Sequence, residues 1–224
     1  NSAWADNYAL NFDRTTTSNS GQDANNNYVN ISPVVPLTSN MTVEAWIKPS
    51  SVAPNNQDIV AWGNNTPSGA VDVQFLRLSG DKVNIYWKNS SVTSTTSINA
   101  GEWTHVAISK SSNNIGIYVN GALDKTGSLT DGAVLNASAM TIGITNVNND
   151  VRDYLQFGGE IDEVRVWNDV RSANEISANY NKGVSSSEPG LVAYYQFNEG
   201  SNSNAADSVA SYDGTLIGMD SGGT

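Results

Sequence analysis

Apolar and polar residues alternate with a period of two through most of this chain, the period of a half-buried strand rather than of a helix. In Met41-Thr42-Val43-Glu44-Ala45-Trp46-Ile47-Lys48, the set Met41, Val43, Ala45 and Ile47 falls on one face. The same pattern runs through Val71-Asp72-Val73-Gln74-Phe75, Val83-Asn84-Ile85-Tyr86-Trp87 and Ile115-Gly116-Ile117-Tyr118-Val119. Turn-forming clusters separate these runs, among them Pro54-Asn55-Asn56, Ser79-Gly80-Asp81, Ser111-Ser112-Asn113-Asn114 and Asn120-Gly121. Short strands at this spacing predict an all-β protein, an antiparallel two-sheet sandwich. One short helix is predicted near residues 172–181. There Ser172 and Glu175 make a capping box, Ile176 and Tyr180 share a face, and Gly183 stops the turn.

A sandwich of 224 residues is long but not too long for one unit. Ser185-Ser186-Ser187-Glu188-Pro189-Gly190 reads as a linker, and the alternating Leu191 to Phe197 is too short to build a second core. Residues 1–220 are therefore read as a single domain, with 191–218 as a C-terminal strand segment and 221–224 as a tail. The chain starts at Asn1 without a Met, which reads as a mature form or a domain excised from a larger multidomain chain.

Composition removes several functions. Twenty-two acidic residues against eleven basic ones leave a net charge of −11, a field that repels phosphate and excludes general nucleic-acid and anionic-lipid binding. The same field favours cations. With no Cys and a single His, His105, thiolate and multi-histidine metal sites are excluded. His105 lies in an alternating strand and reads as a hydrogen-bonded structural residue. No apolar run approaches the roughly 20 residues that a membrane-spanning helix needs, so no membrane insertion is expected.

Three stretches resemble the laminin G-like, or concanavalin A-like, jelly-roll modules, including their pentraxin branch. They are Tyr8-Ala9-Leu10-Asn11-Phe12-Asp13 leading to Tyr28-Val29-Asn30-Ile31, then Thr42 to Pro49, then Gly101-Glu102-Trp103-Thr104-His105-Val106-Ala107 with Ile117-Tyr118-Val119-Asn120-Gly121. The third continues in Phe157-Gly158-Gly159-Glu160-Ile161-Asp162-Glu163-Val164-Arg165-Val166-Trp167-Asn168. The resemblance implies a jelly-roll sandwich and a calcium ion. Its ligands would come from the loop Asn146-Val147-Asn148-Asn149-Asp150 and from a loop near Asp72. Asp13 and Asp162 lie in segments that meet at the sandwich edge in such modules, where a second calcium is implied.

Read on its own, the 146–150 loop offers Asn146, Asn148 and Asp150 as alternating oxygen donors, suited to a hard cation that takes six to eight oxygens. It is not an EF-hand, because the sixth position is Val151 and the twelfth Phe157. Trp62, Trp87 and Phe197 share the apolar phase of their strands and read as core. Trp46, Tyr86, Tyr118 and Tyr194 fall on the opposite phase, where a ring either stacks on a sugar or is covered by another segment. Jelly-roll glucanases place a second catalytic Glu four or five residues after the first, on one strand. After Glu160 those positions hold Val164 and Arg165, so no acid and nucleophile pair is expected. The expected function is a non-catalytic, extracellular or cell-surface module that binds a glycan or a cell-surface ligand with calcium. A calcium-stabilised spacer in a larger adhesin or secreted enzyme is the alternative, and a glycoside hydrolase the least favoured reading.

Overall fold

The computed structural model describes residues 8–14, 27–52, 56–64, 71–134, 136–147, 150–151, 153–200 and 203–219, with the backbone only at 64, 71, 72, 147, 150, 151 and 153. In chain order the strands begin with β1 (Leu10–Phe12), β2 (Tyr28–Ile31), β3 (Asn40–Pro49), β4 (Asn56–Asn64), β5 (Val71–Ser79) and β6 (Lys82–Trp87). They continue with β7 (Ser90–Ser97), β8 (Thr104–Ser111), β9 (Asn114–Val119), β10 (Ala122–Ser128), β11 (Ala139–Ile142), β12 (Asn146–Val147) and β13 (Asp150–Val151). After them come β14 (Gly159–Trp167), helix α1 (Ala173–Asn179), β15 (Leu191–Tyr195), β16 (Asn204–Ala205) and β17 (Gly214–Ile217). None of the described helices is long and apolar enough to cross a membrane.

Two antiparallel sheets stack as a sandwich, as the alternation predicts. Sheet A runs β1-β14-β3-β8-β9-β10, with β15 also paired to β14, and sheet B runs β16-β17-β2-β11-β4-β5-β6-β7. Directly opposed residues share a face, so the registers show which side chains meet in the middle. Across sheet B the inner row is Ile31, Met140, Trp62, Val73 and Trp87. Across sheet A it is Ala193, Val166, Val43, Ile108 and Ile117. All ten are buried. Phe75 meets Trp62 and Trp87 edge-on, at centroid distances of 5.8 and 6.2 Å, and the Trp62 indole N–H donates to the Val35 carbonyl at 2.8 Å. Lys110 falls on this inner phase too. Its ammonium lies 4.4 Å from the Trp87 ring centroid and donates to the carbonyls of Gly132 and Ser39, so the buried charge is partnered at the end of the core.

Helix α1 starts where the capping box places it. Ser172 accepts from the Glu175 backbone N–H, and the Glu175 carboxylate accepts from the Ser172 N–H at 2.8 Å. The helix and the segment after it lie on the outer face of sheet A, with Ile176 packed against Ala107 and Tyr118. Trp167, Leu191 and Tyr194 form a neighbouring cluster. The off-phase aromatics of sheet A are therefore covered. Trp46 stacks on Tyr180 at 6.3 Å and its indole N–H donates to the Tyr180 carbonyl at 2.9 Å. Tyr118 is only 6 % exposed. Neither ring is an open stacking platform, because the helix supplies the surface that the sandwich alone would leave wet. The alternatives left open for these two residues resolve toward cover.

Beneath that cover sits a buried polar cluster. Glu44 accepts from His105 Nε2 at 3.2 Å and from the Trp167 indole N–H at 3.0 Å. Arg165 pairs with Glu163 at 2.6 Å and lies 3.5 Å from Glu44. It also donates to the carbonyls of Asn179 and Lys182. No basic residue stands in the last turn of α1, and Arg165 reaches up from the sheet to the carbonyl at its end and to the one at Lys182 just beyond it. The Tyr194 hydroxyl donates to Glu163 as well.

Candidate functional site

With the outer face of sheet A roofed, the outer face of sheet B is the place to look for a site. One cross-strand row there is Asn30, Thr141, Ala61, Gln74, Tyr86 and Ser91, and an adjacent one is Arg77, Asn84 and Thr93. These residues follow the same two-residue alternation that sends Trp62, Val73 and Trp87 inward. The face is polar where the inner one is apolar.

Its side chains are wired together. Arg77 Nε donates to Asn84 Oδ1 at 2.6 Å, another guanidinium N–H donates to Gln74 Oε1, and Asn84 Nδ2 donates to Thr93 Oγ1 at 2.6 Å. The guanidinium lies 4.8 Å from the Tyr86 ring centroid, a cation–π contact that fixes one side of the ring. The Tyr86 hydroxyl donates to Asn89 Oδ1 at 2.7 Å. Lys88 and Asn89 both have positive φ, 47° and 64°, forming the two-residue turn whose twist suits the β6–β7 hairpin. Tyr86 is half-buried, and the amide and guanidinium groups around it are buried. Sequence reasoning found Tyr86 by its phase. It passed over Gln74, Arg77 and Asn84, although Asn84 stands two residues before Tyr86 and shares its face.

Gly143, Thr145 and Gly158 are tied to β4. Gly143 N–H donates to the Ile59 carbonyl, Gly158 N–H donates to Gln57 Oε1, and the Thr145 hydroxyl donates to Asp58. Gly143 has φ +90°, and a Cβ there would stand 2.2 Å from the Phe12 ring, so only glycine lets the segment turn in at this point. Asn146 and Val147 pair with Val151 and Asp150 in a small hairpin. Asn146 Oδ1 is buried and has no hydrogen-bond partner among the described residues.

The other residues singled out for cations fare differently. Asn148 lies outside the described residues, and Asp150 is described by its backbone alone. Asp72 stands opposite Gly63 in the β4–β5 ladder, whereas Thr145 is bonded to Asp58 on the same strand. From 58 to 63 is roughly 16 Å at the usual strand rise. Asp13 and Asp162 are not brought together, a correction to the expected edge pair. Phe12 stands opposite Gly159 and Leu10 opposite Ile161, so β14 carries Asp162 away from the exposed Asp13 by roughly four residues, about 13 Å. Asp162 is buried, and its Oδ1 accepts from the Glu163 N–H at 2.8 Å. Among the described residues no group of three or more His, Asp and Glu side chains is placed to hold a metal.

The carboxylates of the glucanase-like stretch are also engaged. Glu160 is bridged to Lys48 at 2.8 Å, and Glu163 is buried against Arg165 and Tyr194. Val164 points into the core and Arg165 into the cluster under α1.

The comparisons with known proteins fit this architecture. A Bacteroides ovatus protein proposed to bind carbohydrate matches with a TM-score of 0.66 and 23% identity, over 93% of this chain and 57% of that one. The chain thus spans little more than half the length of that protein. The heptameric SAP-like pentraxin of Limulus polyphemus matches with a TM-score of 0.61 and 14% identity, over 92% of this chain and 94% of the pentraxin. The CBM40 of a Ruminococcus gnavus sialidase, bound to α2,3-sialyllactose, matches with a TM-score of 0.52 and 19% identity, over 62% of this chain and 82% of that one. No curated protein matches the chain in sequence. The sequence model of the concanavalin A-like lectin/glucanases superfamily matches residues 23–177. With its two antiparallel sheets in a jelly-roll sandwich, this chain belongs to the concanavalin A-like lectin/glucanase superfamily.

Proposed function

We propose that the protein is a non-catalytic, calcium-dependent glycan-binding module that works outside the cell or on its surface, as part of a larger chain. The observation that carries this reading is the outer face of sheet B, where the half-buried Tyr86 ring is held by the hydrogen-bonded, buried groups of Gln74, Arg77 and Asn84. Sugars are held by such combinations of ring faces and planar polar groups. Two of the structural relatives support the glycan class: the Bacteroides ovatus protein proposed to bind carbohydrate and the CBM40 bound to sialyllactose. The non-catalytic part rests on Glu160, bridged to Lys48, and Glu163, paired with Arg165.

Calcium enters through the 146–150 hairpin. Asn146 Oδ1 is a buried oxygen in want of a donor or cation, and the neighbouring Asn148 and Asp150 are of the same hard-oxygen type. Asn146, Asn148 and Asp150 would hold the ion, with vicinal sugar hydroxyls replacing its waters, and Asp72, opposite the far end of β4, is left out of the site. Calcium should then raise the melting temperature. Binding to the folded state alone contributes about 2.7 kcal/mol at a hundredfold excess over Kd. Identical melts in excess calcium and in chelator refute the cation site. Asp150→Ala should remove both the calcium response and glycan retention. Tyr86→Ala should weaken retention by about tenfold, with the melting temperature in calcium unchanged, as expected for one lost stacking ring. A protein stabilised by calcium that retains no glycan would instead fit the spacer reading.

A further inference from the structure

The turn between β9 and β10 is Asn120-Gly121, the only Asn-Gly pair in the chain. An asparagine side chain is attacked most readily by the backbone nitrogen after it when the next residue is glycine, because no side chain then shields that nitrogen. Here the fold supplies the shield. Asn120 is exposed but Gly121 is buried. A Cβ built on Gly121 would stand 2.4 Å from Cδ1 of Tyr180, the residue that caps the C-terminus of α1. The Tyr180 ring therefore occupies the place that a side chain at position 121 would fill.

Asn120 is held from the other side. Its Oδ1 accepts from the His105 N–H at 3.0 Å, and its own N–H donates to the His105 carbonyl at 2.8 Å. Both turn residues have positive φ, 49° and 77°, the twist that suits a two-residue hairpin. Closing a ring onto the Gly121 nitrogen would rotate the side chain out of this arrangement. Tyr180 in turn stacks on Trp46 at 6.3 Å and meets the His105 ring edge-on at 5.7 Å. The shield over Gly121 is thus part of the α1 cover.

We propose that Asn120 is a deamidation site gated by the α1 cover. While Tyr180 sits on Gly121, the pair is inert. When the end of α1 lifts, the Gly121 nitrogen bonds to Cγ of Asn120, and the side-chain nitrogen leaves as ammonia, taking the Gly121 amide proton. Water then opens the cyclic imide at either carbonyl, giving aspartate or isoaspartate. Aspartate keeps an oxygen for the His105 N–H, so the cover closes again. Isoaspartate routes the main chain through the former side chain and adds a methylene to a turn that has no room beneath the Tyr180 ring. Gly121 is then displaced and the cover does not reseat. The modification acts as an irreversible latch on the segment that hides Trp46, His105 and Tyr118.

The test is a peptide-map time course of the whole chain in mildly alkaline buffer, with and without urea, in which mass and retention separate Asn120 from its aspartate and isoaspartate products. Conversion should be at least about tenfold slower in the folded chain, because it passes through the locally opened state. Tyr180→Ala should remove most of that difference, and Tyr180→Phe, which keeps the ring, should preserve it. Asn89-Ser90, in the β6–β7 turn of the other sheet, is the internal control. Its rate should be unchanged in Tyr180→Ala, and equal acceleration at both sites would mean global unfolding and overturn the gate. Amide exchange in α1 should be faster in the purified isoaspartate form than in Asn120→Asp, and equal exchange in the two overturns the latch. Equal rates at Asn120 in the folded and urea-unfolded chains, or a folded rate untouched by Tyr180→Ala, overturn the proposal outright.

Discussion

Deleting residues 184–224 should leave a chain that no longer melts as a cooperative unit. Strand β15 pairs with β14 from Leu191 to Tyr195, and β17 pairs with β2, so the deleted segment completes an edge in each sheet. Ala193, Tyr195, Phe197 and Ala205 belong to the main core. Tyr195 and Phe197 stack at 6.3 Å, and the Tyr195 hydroxyl donates to the Tyr212 carbonyl at 2.6 Å. Asp207 ties the return together by accepting from the backbone N–H groups of Tyr194, Val209, Ala210 and Tyr212. Losing one buried aromatic costs about 3–5 kcal/mol, and total stability is only about 5–15 kcal/mol. Removing two core rings, three strands and the cover over Arg165 exceeds that margin. Thermal and urea unfolding of the truncated chain decide it: a broad or absent transition, or aggregation, is expected. A melt like that of the full chain would show that the segment is not part of this fold's stability.

Replacing Arg165 by Met should cost about 3–5 kcal/mol, because it takes the buried cation away from Glu163 and Glu44 and leaves two buried carboxylates with hydrogen bonds but without their guanidinium. Urea unfolding near neutral pH measures it. Restoring neutrality with Glu44→Gln and Glu163→Gln in the same chain should recover much of the loss, whereas a loss from shape alone would persist. The same cluster sets an acid limit. Burial by itself would push the Glu44 carboxyl up. The His105 hydrogen bond and charge, the Arg165 charge and the Trp167 N–H outweigh it and hold the group down at about 2, against an ordinary value of 4.5. A depressed carboxylate contributes its stability in full above the unfolded value and loses it as pH falls toward the folded one. Wild-type stability should therefore decline as pH drops from 4.5 toward 2. A flat stability profile across that window would contradict the assignment.

The sandwich was largely legible because alternation is a local signal. The inner rows through Met41 to Ile47, Val83 to Trp87 and Ile115 to Val119 follow from counting by twos, and the capping box at Ser172 places the helix start. What alternation cannot tell is what lies on the other face. Trp46, Tyr118 and Tyr86 are equivalent by phase, yet the first two are buried under the α1 side of sheet A and the third stays half-buried. That difference depends on where a helix more than fifty residues downstream of Tyr118 packs. The bulge in β14 is equally hidden. Glu163 takes φ +52° and the pairing with β3 shifts between Asp162 and Arg165, so both acids and the arginine are buried in succession. The expected meeting of Asp13 and Asp162 fails for a related reason, since strand register and not proximity in a motif sets how far apart two residues fall. Gln74, Arg77 and Asn84 carried the phase signal all along, but polar residues on an outer phase look like ordinary solvent-facing positions until their mutual hydrogen bonds are seen.

The measurement that bears most directly on the proposed function is retention of the whole chain on a glycan array, first in calcium and then in chelator. Glycans retained in calcium and released by chelator, with retention reduced in Tyr86→Ala, are the predicted result. Retention of no glycan in calcium, or the same retention after chelation, would contradict it.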